Sequence, residues 1–288
     1  MSNIIVFISE IIRGADFSGA RPHFYISDGW YSIKCELDEP LRNSLLNNEF
    51  QLGQKIEITG AILQSSGSVP ILESKDKLSL KLSSNGTRKA CWSRKIGHQP
   101  YNWFIKEIKD IKLNGDIIPC TFGRIIRKHP FKIMIRSKSD GKSTIRTYEE
   151  ELALKESTDM DESEDLTENE FTPFCALRII DKNNTEAQIT LWNISFETYN
   201  DFKEGENYCF YNLIPKRSKD RHKFNYHSVL QLNSTISTKC VNTKGSALNS
   251  HYNPALGKQL STITSLESLE KGSNVDMCVL YLGKLYMM

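Results

Sequence analysis

Leu177-Arg178-Ile179-Ile180-Asp181-Lys182-Asn183-Asn184, then Gln188-Ile189-Thr190-Leu191-Trp192-Asn193, a short helical stretch and Phe202-Lys203-Glu204-Gly205-Glu206-Asn207-Tyr208-Cys209-Phe210, make up a unit that the chain uses twice. About 150 residues earlier stand Ser27-Asp28-Gly29-Trp30-Tyr31-Ser32-Ile33-Lys34-Cys35-Glu36-Leu37, a short helical stretch, and Gln51-Leu52-Gly53-Gln54-Lys55-Ile56-Glu57-Ile58. From turn aspartate to glycine the distance is 25 residues in the first copy and 24 in the second. A repeat of this kind implies two domains of one architecture.

Local rules say what each copy is. Asp-Gly and Asp-Lys-Asn-Asn are hairpin turns, because Gly and Asn accept the positive φ that tight turns require. Alternation follows each turn: Tyr31, Ile33, Cys35 and Leu37 against Ser32, Lys34 and Glu36, and Ile189 and Leu191 against Gln188, Thr190 and Trp192. Period two is the mark of a half-buried strand. Strand, strand, short helix, glycine, strand is the middle of a five-stranded OB barrel, whose ligands lie on the face of strands two and three and between two long loops. The expected fold is therefore mainly β, with tandem OB barrels and short helices.

At 288 residues and 39% apolar content the chain has room for two such domains and hardly for three. Its seven cysteines fall singly, without Cys-x-x-Cys or His-x-x-x-His spacing, which argues against a zinc site or a disulfide framework and fits a reducing compartment. No apolar run approaches the ~18 residues of a membrane helix, and the start has no signal-peptide layout. The expectation is a soluble intracellular protein with no membrane partner and no cofactor.

A net charge of +2 conceals a split. Residues 147–170 hold eleven acids and one base, a local −10, which leaves +12 for the rest. Just before them, residues 122–146 hold eight bases and one acid. Like charges at this density repel, so the acidic run reads as a solvated loop; the sharper alternative is a nucleic-acid mimic covering the basic neighbour.

A second repeat marks domain entrances. Ile105 to Ile111 precedes Gly115 and Ile117-Ile118-Pro119-Cys120-Thr121-Phe122-Gly123, while Ile263 to Leu269 precedes Gly272 and the apolar run Val275 to Gly283. Each reads as a linker and the first strand of a barrel. The expected organisation is a first OB fold at 1–100, a linker helix at 101–114, a second OB fold at 115–242 with the acidic insert 147–170, and at 243–288 a linker and the first strand of an incomplete third barrel.

Asp28-Gly29-Trp30-Tyr31-Ser32-Ile33-Lys34, Leu37-Asp38-Glu39-Pro40-Leu41, Leu52-Gly53-Gln54-Lys55, Leu78 to Ser83 and Asn85-Gly86-Thr87-Arg88-Lys89-Ala90-Cys91-Trp92 resemble the first OB fold of the breast cancer type 2 susceptibility protein family. The resemblance continues through Leu177-Arg178-Ile179, Ile189-Thr190-Leu191-Trp192 and Leu230-Gln231-Leu232-Asn233-Ser234-Thr235 to Val275-Asp276. The family's helical domain, recombinase-binding repeats, tower and most of a third barrel have no counterpart in this sequence. The resemblance implies a nuclear role in homologous recombination and double-strand break repair, single-stranded DNA as ligand and a small acidic partner of the deleted-in-split-hand type. A RecA-like recombinase is a further possible partner, although the repeats that bind it are missing.

Candidate residues follow from the strand faces. Ile189 and Leu191 point inward, so Trp192 points out, where an aromatic on strand three is a stacking platform worth ~1–3 kcal/mol per base; packing under the next loop is the alternative. Lys182 stands at the preceding turn, and Arg127 and Lys128 in the basic segment. Between strands four and five, the run Ile214 to Lys223 offers Lys216, Arg217, Lys219, Arg221 and Lys223, followed by Phe224 and Tyr226, of which either can face outward. Cations and rings in a loop flanking the binding face suit phosphate tracking; a solvated basic turn or a localisation signal is the alternative. The first barrel's outer face, Ser32, Lys34 and Glu36, has no comparable ring. There the resemblance implies that Arg88, Lys89, Arg94 and Lys95 around Trp92, with Trp30, meet the acidic partner; for the two tryptophans themselves the leading expectation is core packing.

The six histidines sit in no nucleophile, metal or phosphate-loop context, and no Gly-x-Ser-x-Gly or Walker pattern occurs. The expected function is a non-enzymatic, single-stranded DNA-binding module of a recombination mediator. A protein-interaction scaffold that docks the acidic partner, or a replication protein A-like single-strand binder, is the alternative.

Overall fold

The computed structural model describes residues 3–14, 21–65, 77–99, 104–138, 142–157, 169–216 and 229–244. The first unit runs β1 (Asn3–Ile12), β2 (His23–Ser27), β3 (Ser32–Leu37), α1 (Glu39–Leu46), β4 (Lys55–Ile58), β5 (Ile62–Ser65), β6 (Leu78–Leu82), β7 (Thr87–Lys89) and β8 (Gly97–Gln99). β1 pairs with β2 and β4, β2 with β3, and β3 runs parallel to β6. β5 pairs with β6 and β4 with β7, so β4–β5 and β6–β7 act as two bent strands that close the barrel in the order 1-2-3-5-4.

The second unit repeats that order. β9 (Ile118–Lys128) is followed by β10 (Lys132–Ser137), β11 (Ser143–Thr147), α2 (Tyr148–Ser157), β12 (Asn169–Ile180), β13 (Glu186–Trp192), α3 (Phe196–Asp201), β14 (Asn207–Pro215) and β15 (Leu230–Asn242). Here β9, β12, β13, β15 and β14 form the closed ring, with β13 parallel to β15. The hairpin β10–β11 and α2 are inserted between strands one and two, with β10 hydrogen-bonded to the outer half of β12.

The repeated glycine has a common cause. Gly53 (φ 77°) and Gly205 (φ 84°) both take the left-handed conformation that glycine adopts without a Cβ penalty. Each donates its N–H to a strand-one carbonyl, of Ile8 and Ile125 respectively, at 2.8 Å. The next residue returns the bond: Gln54 and Glu206 accept from the amides of Ile8 and Ile125 at 3.0 Å. Near these points strand one bulges in both barrels, in β1 between Ile8 and Glu10 and in β9 opposite Arg178 and Ile179. A bulge bends and twists the strand, as closing a small barrel requires.

Each barrel has its own core. Ile8, Phe24, Cys35, Leu45, Ile56 and Leu82 are fully buried in the first, and Ile118, Ile125, Leu177, Ile189, Phe210, Leu213 and Leu232 in the second. Helix α1 is started by Asp38, whose carboxylate accepts the Leu41 amide at 2.9 Å, and it turns Leu41 and Leu45 into the core. Ser195 caps α3 in the same way through the Thr198 amide, and the buried Phe202 follows that helix. Each such side chain contributes ~1.5–3 kcal/mol when fully buried.

Two expectations on organisation are corrected. The described part of the 101–114 linker is not a helix but extended chain with one 3-10 turn, Ile108–Asp110, whose Ile108 and Ile111 fill the second core. The 147–170 insert is not a loop throughout. It opens with α2, because Glu150 accepts the Thr147 amide at 2.8 Å and the neighbouring Arg146 pairs with Glu151 at 3.4 Å, which offsets the repulsion among the acids. It ends inside β12, which begins at Asn169. Residues 158–168 and the proposed third-barrel strand lie outside the described residues.

The two barrels are joined by polar contacts. The Asn85 side chain donates to the carbonyls of Lys112 (2.9 Å) and Asp116 (3.1 Å) and accepts the Lys112 amide at 2.9 Å. Lys81 pairs with Asp116 at 3.0 Å, and Lys106 donates to the Ser84 carbonyl at 3.1 Å. Between the barrels is a cleft of about 260 Å³, rimmed by Ile62 and Ile117 and lined by Lys81, Asp116 and Asn212. No described helix is long and apolar enough to cross a membrane.

Candidate functional site

In β13 Ala187, Ile189 and Leu191 are buried while Gln188, Thr190 and Trp192 are half-buried on the other face. In β12 Cys175 and Leu177 point into the core, so Phe174, Ala176 and Arg178 share the outer face with Trp192, Thr190 and Gln188. Phe174 stands directly opposite Trp192, with ring centroids 4.8 Å apart and planes inclined by 31°. The Trp192 amide is held by Ser234 Oγ at 2.8 Å, which fixes the end of β13 against β15.

Below the rings the next row holds only small or polar side chains: Ala176, Thr190 and Asn233. It leaves low relief beside a raised aromatic ledge. The row after it brings Arg127, Arg178, Gln188 and Gln231 into register, with Arg178 paired to Glu186 at 2.6 Å. Beyond the ledge, Lys132 of β10 lies opposite Phe174. A ledge of two rings with cations on both sides has the elements of a base-stacking, phosphate-tracking surface.

The sequence did not single out Phe174 or Arg178, and it offered Lys132 only as one of the eight bases of the 122–146 segment. Counting the alternation backward from Leu177 through Cys175 finds Phe174; Lys132 becomes visible only when β10 is paired with β12, a contact across some forty residues.

Several expected site residues lie elsewhere. Lys182 sits on the hairpin turn at the far end of β13 from Trp192, roughly 20 Å away at ~3.3 Å per residue. Its ammonium pairs with Glu107 at 2.7 Å, and the Asn183 amide donates to the same carboxylate at 3.0 Å, so this turn fastens the linker and is not part of the stacking face. Lys182 above all, with Lys109 and Asn183, holds the Glu107 carboxyl down at about 2 against the opposing effect of burial. Lys128 is also committed: its ammonium donates to the Phe202 carbonyl at 3.1 Å and lies 3.9 Å from the Tyr199 ring centre. Arg127 keeps its place beside the outer face. Lys216 is exposed just after β14, its amide bonded to the Gln231 carbonyl at 2.8 Å. Arg217, Lys219, Arg221, Lys223, Phe224 and Tyr226 lie outside the described residues.

In the first barrel, Trp30 is 89% exposed and Trp92 73%, so the expectation of core packing is wrong for both. The Asp28 carboxylate accepts the amides of Trp30 (2.9 Å) and Tyr31 (3.0 Å), tying the turn to itself and sending the indole outward. Those two amide bonds also hold the Asp28 carboxyl below its usual range. Trp92 lies under the Lys55 ammonium, 4.9 Å from the ring centre, while that ammonium bonds the carbonyls of Trp92 and Arg94.

Arg88 and Arg94 are not a free basic patch. Both donate to Glu57 Oε2 at 2.8 Å, and Glu57 is fully buried. Burial pushes this carboxyl up, but the two guanidinium groups outweigh it and hold it below its ordinary value. Lys89 and Lys95 are exposed beside Trp92. Among the described residues no cluster of His, Cys, Asp or Glu could hold a metal ion.

Two closed barrels of order 1-2-3-5-4, each with a helix between strands three and four, make this chain a tandem OB-fold protein. The family described as BRCA2, oligonucleotide/oligosaccharide-binding, domain 1 matches residues 1–100. Two Arabidopsis thaliana proteins, BREAST CANCER SUSCEPTIBILITY 2 homologs B and A, are each 36% identical over 115 residues, covering 36% of this chain and 9% of the relative. Residues 1–100 are an OB-fold region of the BRCA2 family. Among solved structures, a replication protein A heterotrimer bound to single-stranded DNA matches 84% of this chain and 48% of that one, at 12% identity and a TM-score of 0.31. The OB domain of Ta0387 from Thermoplasma acidophilum matches 56% and 95%, at 11% identity and a TM-score of 0.27.

Proposed function

We propose that this chain is a single-stranded DNA-binding module, not an enzyme, that acts in the nucleus within homologous recombination and double-strand break repair. The observation that carries the DNA reading is the Phe174–Trp192 ledge on the outer face of strands two and three, the face OB folds use for oligonucleotides. Bases stack on the two rings; Lys132, Arg127 and Lys216 stand where they meet phosphates. Sequence-tolerant binding that weakens steeply with salt is expected, because each neutralised phosphate releases counterions. Membership of residues 1–100 in the BRCA2 family supports the repair assignment.

Fluorescence anisotropy with labelled oligo(dT) tests the reading. Trp192→Ala should weaken binding at least about fivefold, since one stacked base is worth ~1–3 kcal/mol, and the triple neutralisation of Lys216, Arg217 and Lys219 should weaken it and flatten its salt dependence. A wild type that does not bind at low salt overturns it.

A second reading belongs to the first barrel. Trp92, exposed beside Lys89 and Lys95, and Trp30, exposed on the β2–β3 turn, favour docking of the small acidic partner. Tryptophan is among the residue types that most often dominate interface energetics. Titration of an acidic peptide against Trp30→Ala and Trp92→Ala distinguishes this from DNA binding, which neither change should alter.

A further inference from the structure

The hairpin β10–β11 continues the outer face of the second barrel. The register aligns Lys132 with Phe174 and Thr147, Met134 with Thr172 and Ile145, and Arg136 with Glu170 and Ser143. Because directly opposed residues share a face, Lys132, Met134, Arg136 and Ile145 look the same way as Phe174 and Trp192. Four adjacent strands therefore present one surface, roughly 15 Å across from Trp192 to Thr147 at the ~4.8 Å spacing of paired strands.

The two faces of this hairpin differ in charge. On the reverse, Arg146 is paired with Glu151 of α2. On the front, Lys132 and Arg136 have no ion-pair partner among the described residues, although Glu170 stands opposite Arg136. Between them, Met134 is half-buried and Ile145 is 58% exposed, an apolar step with cations on either side.

The base of the hairpin is also fastened by an aromatic cluster. Phe131, just before β10, and Tyr148, just after β11, meet edge to face at 5.7 Å. Tyr148 stacks on Phe196 of α3 at 4.4 Å, and Tyr199 closes the group against Phe131 at 5.3 Å. The base of the hairpin is thus packed on the barrel's helix, which lowers the entropy lost when its face is covered by a ligand.

Resting on the DNA reading of the barrel, we infer that the β10–β11 hairpin is a second nucleotide-binding surface: a single strand leaving the Phe174–Trp192 ledge crosses Lys132, rests a base against Met134 and Ile145, and places phosphates on Lys132 and Arg136. The footprint then exceeds that of the barrel face alone, and the hairpin acts only on strands long enough to reach it.

The full 288-residue chain is titrated with oligo(dT) of about 6 and about 16 nucleotides, spanning the ~4–16 that one OB fold covers. Arg136→Ala/Ile145→Ser, and separately Arg136→Glu, alter exposed side chains, and unchanged thermal unfolding checks that each folds. Both should bind the long oligonucleotide about tenfold more weakly and the short one like wild type, whereas Trp192→Ala weakens both. Lys132→Ala/Arg136→Ala should lower the slope of log affinity against log salt by about 1.4 for the long strand, at ~0.7 per phosphate contact. Arg136→Ala/Ile145→Ser or Arg136→Glu chains that bind long strands like wild type, or weaken short and long alike, overturn the inference and leave the barrel reading, which includes Lys132, intact. A wild type that binds neither length removes both.

Discussion

Phe174 and Trp192 face each other across strands two and three of the second barrel at 4.8 Å, and neither ring belongs to the core beneath them. An aromatic pair across two strands is worth about 0.5–1.5 kcal/mol to the fold beyond its buried area, and both rings keep part of their surface open to solvent. Its position makes sense as a surface that receives something planar.

Phe174→Ala and Trp192→Ala should each cost ~1–3 kcal/mol of single-strand affinity, because each removes one stacking face. Their sum should fall short of the double variant's loss or exceed it, since the rings touch and neighbouring sites couple. Oligo(dT) anisotropy on the two singles and the double measures that coupling. Purely additive losses would mean that the rings act as separate contacts.

Lys182→Ala should leave DNA affinity unchanged, since the ammonium is bound to Glu107 at 2.7 Å on the far end of the hairpin. The same change should release the Glu107 carboxyl from about 2 toward its ordinary 4.5. Because the folded value is depressed, the stabilisation is present above pH 4.5 and is lost as pH falls toward about 2. Urea unfolding between those limits should therefore be less pH-dependent in the variant than in wild type.

Glu57→Gln should destabilise the first barrel by about 1–3 kcal/mol near neutral pH, as it replaces two charge-assisted hydrogen bonds to the partly exposed Arg88 and Arg94 with bonds to a neutral amide. Glu57 is also held below its ordinary value, so its contribution fades only as the solution becomes more acidic than that value. Denaturant titrations of wild type and variant should converge at low pH.

Gly115→Ala should loosen the junction between the barrels. A Cβ there would collide with Ser84 Oγ and come within 2.8 Å of the Asn85 amide, the side chain that binds Lys112 and Asp116. Calorimetry should show a lower transition temperature than wild type, or two resolved transitions in place of one.

Much of the fold was legible because its signals are local. The turn aspartates Asp28 and Asp181, the alternation in β3 and β13, and the glycines Gly53 and Gly205 all act on neighbouring backbone, and the chain states them twice. The insert was less legible: the acids suggested a solvated loop, but pairing of Arg146 with Glu151 and the stacking of Tyr148 on Phe196 support a helix.

Of the candidate site, the sequence by itself determined the outward direction of Trp192, since strand period alone fixes it once Ile189 and Leu191 are inside. Only the tertiary structure decided what stands beside that ring and which cations are free to serve it. Phe174 and Lys132 reach it through strand pairing, while Lys128, Lys182, Arg88 and Arg94, equally basic in the sequence, are drawn into contacts with Phe202, Glu107 and Glu57. A residue's direction follows from its neighbours in the chain, whereas the partner that claims its charge is set by which distant segment the closed barrel brings against it.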